Sequence, residues 1–277
     1  MKAVAAHPVS RVTAGGMAGA SRVLPEEVAV ALSYNGGTQA VMMASPGDLE
    51  DFARGFTLTE GIADPARIES ITPVETALGI DLQIWLPEAD AARLAERRRN
   101  GAGPVGCGLC GIESLDQALR PATPVSGDLT LTADQVRQAV ADLPRHQPLH
   151  DLARSVHAAG FWRPDAGQGG GLVLAREDVG RHNALDKLAG GLLAQGLAGN
   201  SGVVVMTSRV SVDLVQKACR IGAPVLIAVS APTGAALTLA EAAGLTVIGL
   251  ARAESFEIFT HPGRIVPAAP RGQSHVA

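Results

Sequence analysis

Four short, nearly unbroken apolar runs limit what this chain can fold into: Leu172 to Ala175, Gly202 to Met206, Val225 to Val229 and Leu245 to Leu250. A strand with one wet face alternates apolar and polar residues. Runs without alternation belong to strands covered on both faces. Helical patterns lie between them, at Asn183 to Gln195, Ser211 to Ile221 and Gly234 to Ala243. This order predicts an α/β arrangement with a covered sheet in residues 146–277. A soft boundary is expected at Pro144 to His150.

The first half reads differently. Val28 to Tyr34, the Asn35-Gly36 turn and Thr38 to Met43 predict a hairpin. Ser45-Pro46-Gly47-Asp48 starts a helix carrying Leu49, Phe52, Ala53 and Phe56 and ending at Gly61. Ile80 to Leu86 predicts a strand, Glu88 to Arg99 a helix with a basic end, and Ile112 to Leu119 a short helix. Thr132 is placed to cap a helix reaching Leu143. Residues 27–145 are therefore read as a smaller, β-rich subdomain. Residues 1–26, rich in Ala and Gly without an apolar core segment, are read as a flexible tail and not a signal peptide.

Composition narrows the function classes. Hydrophobic residues make up 47 % of the 277, charged residues 18 % and the net charge is −4. A nucleic-acid protein usually carries a basic face, so nucleic acid is not an expected partner. A membrane span needs about 20 apolar residues, and no run approaches that. Three cysteines do not form a secreted disulfide framework, and the cytoplasm is the expected location.

Two of those cysteines stand in Gly106-Cys107-Gly108-Leu109-Cys110-Gly111, a loop expected to span residues 100–112. Upstream lie Arg97, Arg98 and Arg99, whose charge favours the reactive thiolate, although arginines also suit a helix C-terminus by themselves. The pair fits a redox couple, half of a zinc site, or a nucleophile that accepts sulfane sulfur. A structural zinc site needs four N or S ligands, and there is no second pair. Zinc deaminases need H-x-E before P-C-x-x-C. Here Ala159 follows His157 at the Glu position, and Pro104 does not adjoin Cys107. No metal is expected. Cys219, beside Leu214, Val215 and Ala218, is expected to be buried.

Polar stretches follow the apolar runs. Glu177 to Lys187 includes Arg181 and His182 and opens a helix, a placement that offers backbone N–H groups to anions. Thr207-Ser208-Arg209-Val210-Ser211 and Ser230-Ala231-Pro232-Thr233 follow the next two runs. Ligands of open α/β sheets sit at such strand ends. The expectation is a cleft for a polar, phosphorylated ligand, with Ser208 and Ser211 also readable as plain helix caps.

The chain resembles the formate dehydrogenase accessory sulfurtransferase family, FdhD. The resemblance runs along most of the chain after residue 25. It is carried by Val41 to Pro46, Gly55-Phe56 to Glu60-Gly61, the Cys-x-x-Cys segment, His157-Ala158-Ala159 and Glu177 to Lys187. Ser208-Arg209, Val215-Gln216-Lys217, Ser230 and Phe259 to Pro262 continue it. The resemblance implies a cytidine deaminase-like three-layer domain and a homodimer. It implies a sulfurtransferase that takes persulfide sulfur from a cysteine desulfurase on Cys107, with Cys110 beside it. The sulfur goes to the molybdenum of the bis-molybdopterin guanine dinucleotide cofactor, which then serves formate dehydrogenase. Guanine nucleotide is able to occupy the cofactor site. The cofactor-binding residues it implies are Leu250, Ala251, Arg252, Ala253, Glu254 and Ser255, with His157, Arg181, His182, Ser208, Arg209 and Ser230 around them. Glu254 and Ser255 stand where the family tends to show Gly-Arg, and Thr207-Ser208-Arg209 lacks the Gly that often separates Ser and Arg. A non-covalent cofactor chaperone and a thiol oxidoreductase are the competing readings.

Overall fold

A computed structural model describes residues 1–99, 121–167 and 169–266. The cysteine pair Cys107 and Cys110 and the helix expected at 112–119 lie outside the described residues. The expected loose tail is corrected by the structure. Residues 4–25 form a hairpin of β1 (Val4–Thr13) and β2 (Gly16–Pro25), in register along its length. Its β-branched valines and the Ala14-Gly15 turn outweigh the Ala and Gly content that reads as disorder.

Strand β3 (Val28–Tyr34) turns into β4 (Gly37–Ala44). Asn35 and Gly36 have φ of 47° and 78°, the positive values that a two-residue hairpin turn requires. Helix α1 (Leu49–Thr59) follows. Strands β5 (Ser70–Thr76) and β6 (Gly79–Trp85) complete a four-stranded sheet ordered β4-β3-β6-β5. Phe52 and Phe56 of α1 share a core with Val30, Leu32, Ile80 and Leu82 of that sheet. Helix α2 (Glu88–Arg99) leads away from it.

Beyond it come β7 (Leu131–Thr132), α3 (Ala133–Asp142) and α4 (Pro148–Ala153). Thr132 caps α3 as expected: its hydroxyl accepts from the Gln135 N–H, and the Gln135 side chain accepts from the Thr132 N–H. Strands β8 (His157–Arg163) and β9 (Gly171–Asp178) and helix α5 (Arg181–Ala194) open the larger sheet. It continues through β10 (Val203–Met206), α6 (Val212–Ile221), β11 (Val225–Ala228), α7 (Gly234–Ala243), β12 (Thr246–Gly249) and β13 (Glu257–Ile258). A last strand, β14 (Ile265–Val266), pairs with β7. The six strands are ordered β13-β12-β11-β10-β8-β9. Neighbours β10, β11 and β12 are parallel, while β8 and β9 run antiparallel to their neighbours.

Both faces of this sheet are covered, which is why its strands lack alternation. Val204, Met206, Leu226, Ala228 and Val247 share a core with α5, α6 and α7. Val203, Val205, Val225, Ile227 and Ile248 share another with Trp162 and with Val136, Ala139 and Leu143. The segment from Leu131 to Leu143 therefore contributes to the core of the larger sheet. Trp162 also donates its indole N–H to Asp142 at 3.0 Å.

The two sheets are joined through α1 and α5. A Cβ on Gly55 would lie 1.6 Å from the Asp186 carbonyl oxygen, and one on Gly190 would lie 1.8 Å from that of Asp51. Only glycine lets the two helix backbones come this close.

Candidate functional site

The candidate site lies at one edge of the six-stranded sheet. The carboxyl ends of β10, β11 and β12 share that edge because the three strands are parallel. Strand β8 is antiparallel to β10, so its first residue, His157, arrives at the same edge. His157 is registered opposite Asp178, the last residue of β9. The next turn therefore delivers Arg181 and His182, the first residues of α5, to that edge too.

Backbone hydrogen bonds stitch the loops together. The Thr207 hydroxyl accepts from the Ala158 N–H at 3.0 Å. The Val210 N–H donates to Ala231, and the Thr233 N–H donates back to Val210. The Leu250 N–H donates to Ser230 and the Ala251 N–H to Ala228. Arg252 donates its guanidinium to the Val229 and Ala251 carbonyls, and its N–H to Ser255 at 2.8 Å. Leu250 holds a left-handed φ of 51°, which turns the chain out of β12. Residues 157, 181, 182, 208, 209, 230 and 250–255 thus lie on one edge although they are distant in sequence. Arg209 and Ala253 to Ser255 are exposed, while Ala251 is buried and anchors its loop.

Three buried polar atoms at this edge make no hydrogen bond within the protein: Arg181 Nε, His182 Nε2 and Ser211 Oγ. Ser211 occupies the N-cap position of α6 without making a cap bond. The plain-cap reading of Ser211 is therefore corrected. Orphaned polar atoms are costly in an interior, and at a strand edge they are natural partners for a ligand. Asp213 Oδ2 stands 3.7 Å from His182 Nε2, too far for a hydrogen bond. Burial, then the Arg181 and Lys217 cations, push the His182 imidazole down to about 3. His157 is lowered too, first by burial and then by Arg181. Both imidazoles are neutral at physiological pH, so the fixed positive charge here belongs to arginine. Among the described residues, no group of three or more His, Cys, Asp or Glu side chains converges as a metal site.

Beneath the edge run two buried ionic networks that support it. In the first, Lys187 Nζ meets Asp178 Oδ2 at 2.6 Å with both side chains fully buried. Lys187 also donates to the Ser45 carbonyl at 2.9 Å. Asp178 accepts from the N–H groups of Ser45 and Gly180 and from Asn183 Nδ2. The end of β4 is thereby fixed to the turn that presents Arg181. In the second, Lys217 donates to both Asp186 oxygens, to Glu60 and to Thr59. Burial lifts the Asp186 carboxyl to about 6, outweighing the pull of Lys217. Burial opposes the charge on Lys217, but Asp186 and Glu60 outweigh it and hold the ammonium above its usual range.

Sequence reasoning had read Glu177 to Lys187, and with it Asp178, Asp186 and Lys187, as a candidate ligand turn, but it had given no part in a site to Thr59, Glu60, Asp213 or Lys217 by their own chemistry. The signal was present: Asp186, Lys187 and Lys217 fall on helix positions that should face the core. Cys219 lies buried on α6 as expected, and burial pushes its thiol up to about 12.

Comparison with known proteins agrees along most of the chain. The model of the FdhD/NarQ family matches residues 25–266. A sulfur carrier protein FdhD of Agrobacterium fabrum is 51 % identical over 247 residues, covering 88 % of this chain and 90 % of its own. One from Brucella abortus is 52 % identical over 250 residues, covering 89 % and 91 %. A solved structure of a candidate formate dehydrogenase accessory protein from Desulfotalea psychrophila shares the fold. Its TM-score is 0.75, its identity 24 %, and the match covers 96 % of this chain and 100 % of that one.

Proposed function

The chain belongs to the FdhD/NarQ family, and from that premise we propose that it is a sulfur carrier serving formate dehydrogenase maturation. The observation that carries this reading is the strand-end edge. Arg181, Arg209 and Arg252 stand on the same edge as Ser208, Ser211 and Ser230, and the buried Arg181 Nε, His182 Nε2 and Ser211 Oγ make no hydrogen bond within the protein. Arginines and helix N-termini suit a large phosphorylated ligand. The ligand proposed is the bis-molybdopterin guanine dinucleotide form of the molybdenum cofactor, held as cargo, with guanine nucleotide able to take part of its place. The strand order β9-β8-β10-β11-β12, with β8 antiparallel to both neighbours, supports a deaminase-like scaffold.

Sulfur would be carried on Cys107. Its thiolate attacks the outer sulfur of a cysteine desulfurase persulfide. The donor S–S bond breaks, the donor cysteine leaves as thiolate, and a new S–S bond forms on Cys107. The sulfane sulfur keeps its oxidation state. Release as sulfide takes two electrons, which the Cys110 thiol supplies by closing a disulfide with Cys107. The proposed location is the cytoplasm. Among the described residues no helix is long and apolar enough to cross a membrane.

The test is the intact mass of the protein after incubation with a cysteine desulfurase and cysteine. The expected result is a gain of one sulfur atom on the peptide holding Cys107, lost in Cys107→Ala. An unmodified protein, or formate dehydrogenase that matures normally with Cys107→Ala, overturns the persulfide role and leaves a non-covalent cofactor chaperone.

A further inference from the structure

One acid stands among the arginines of the strand-end edge. Asp213 is the second residue of α6, two positions after Ser211. Its side chain is 15 % exposed and that of His182 is 13 % exposed, so both are nearly enclosed and still reachable. Among the described residues, His182 is the only basic group within 4 Å of the Asp213 carboxylate, and its imidazole is neutral. Lys217 acts on Asp213 from further away and is itself taken by Asp186 and Glu60. The Asp213 carboxylate is therefore not consumed by an ion pair.

A carboxylate at this place is wrong for a phosphate, which it repels at short range. It is right for a neutral group that offers N–H donors, because an ionised carboxylate only accepts. Beside it, Ser211 Oγ and His182 Nε2 are buried and make no hydrogen bond within the protein. The hydroxyl can turn its proton to a ligand, and the neutral ring can carry one on Nε2. The three side chains together ask for two N–H donors beside one carbonyl acceptor. An aminopyrimidinone edge has that order: an amino group, a ring N–H and a carbonyl oxygen in a row. Guanine carries this edge, and so does a pterin.

The proposed cofactor contains both kinds of ring, guanine in its nucleotide part and a pterin in its molybdopterin part. Resting on that cofactor reading, we propose that Asp213 is a specificity-determining residue that accepts two hydrogen bonds from the aminopyrimidinone edge of the ligand, while Ser211 and His182 donate to its carbonyl oxygen. The arginines of the edge are left for the phosphates. Asp213 thereby selects against rings that lack the amino group. A lost hydrogen bond to a charged, enclosed group leaves that group unpaired, which costs at least about tenfold in affinity.

Titration calorimetry of the full chain with two sets of probes tests this. The first set is guanosine, inosine and xanthosine diphosphate; the second is pterin and lumazine. Inosine lacks the amino group, and xanthosine and lumazine carry a carbonyl in its place. If guanine occupies the site, the wild type should bind guanosine diphosphate at least about tenfold tighter than inosine diphosphate. If the pterin does, the wild type should prefer pterin to lumazine by the same factor, with the two nucleotides equal. In Asp213→Asn the carboxamide offers an N–H where the carboxylate only accepted. The preference should therefore pass to xanthosine diphosphate or to lumazine, a gain of binding that a misfolded variant would not show. A wild type that binds guanosine diphosphate or pterin without preferring the amino group overturns the proposal and leaves the cofactor site standing, as does Asp213→Asn with wild-type preferences. A wild type that binds neither guanosine diphosphate nor pterin overturns the cofactor reading and the proposal with it.

Discussion

Replacing Lys187 by Met tests whether the first buried network holds the site together. The ammonium and the Asp178 carboxylate are 2.6 Å apart and fully buried, and the lysine also donates to the Ser45 carbonyl. Methionine fills much of the same volume but leaves the Asp178 charge without its cation. Breaking one side of a buried pair costs about 3–5 kcal/mol. Three donors to Asp178 survive, from Ser45, Gly180 and Asn183, which argues for the lower end, about 3 kcal/mol. Asp178→Asn should cost a similar amount by stranding the lysine. The double variant should cost clearly less than the sum of the two, because it leaves no unpaired charge. Urea unfolding followed by fluorescence reads this directly. Trp162 is buried in the six-stranded sheet, and a Trp85→Phe background makes it the sole reporter. Domain stabilities are about 5–15 kcal/mol, so a loss of this size is readily seen. A Lys187→Met loss below about 1 kcal/mol, or strict additivity in the double variant, would refute the reasoning.

Further expectations concern the site and its supports. His182 is held far below its ordinary 6.5, so the unfolded chain binds a proton there that the folded one refuses; stability should fall as pH drops from 6.5 towards about 3. Asp186 acts in the opposite sense between about 6 and 3.8. His182→Gln should therefore flatten the acid loss relative to wild type, and a His182 proton shift titrating near 6.5 would count against the burial argument. Gly55→Ala forces a methyl against the Asp186 carbonyl and should cost at least about 2 kcal/mol in thermal melts. Gly47→Ala, with open space at its Cβ, should stay within about 0.5 kcal/mol. Cys219 should resist alkylation in the native protein at pH 8 and react in urea, which peptide mapping resolves; native labelling at Cys219 would contradict its buried, raised thiol. Arg181→Ala should weaken guanine nucleotide binding about tenfold by calorimetry, and an unchanged affinity would remove Arg181 from the proposed cofactor site.

Much of the larger sheet is legible in the sequence because burial on both faces writes itself as unbroken apolar runs. Leu172 to Ala175, Gly202 to Met206 and Val225 to Val229 all lie in or overlap strands. Strand β8 escaped notice because His157-Ala158-Ala159-Gly160 is small and partly polar, and its pairing comes from β9 and β10 on either side. Strand β5 escaped because Pro73 interrupts an exposed edge pattern, which an edge strand tolerates. The N-terminal hairpin escaped because its residues bury little and rely on cross-strand pairing.

The polar clusters after each apolar run were legible as candidate ligand turns, since strand ends need caps and polar loops in any case. Their convergence was not. It depends on β10, β11 and β12 being parallel, on β8 running against them, and on the bonds from Val210, Thr233 and Leu250 that tie separate loops together. By itself the sequence determined a covered α/β sheet and a set of polar turns, because periodicity and residue chemistry are local properties. Only the tertiary structure decided that Lys187 neutralises Asp178, that Lys217 answers Asp186 and Glu60, and that Gly55 and Gly190 bring α1 against α5. Those contacts join residues more than a hundred positions apart in the chain, or charges whose energies depend on the burial that the rest of the fold imposes on them.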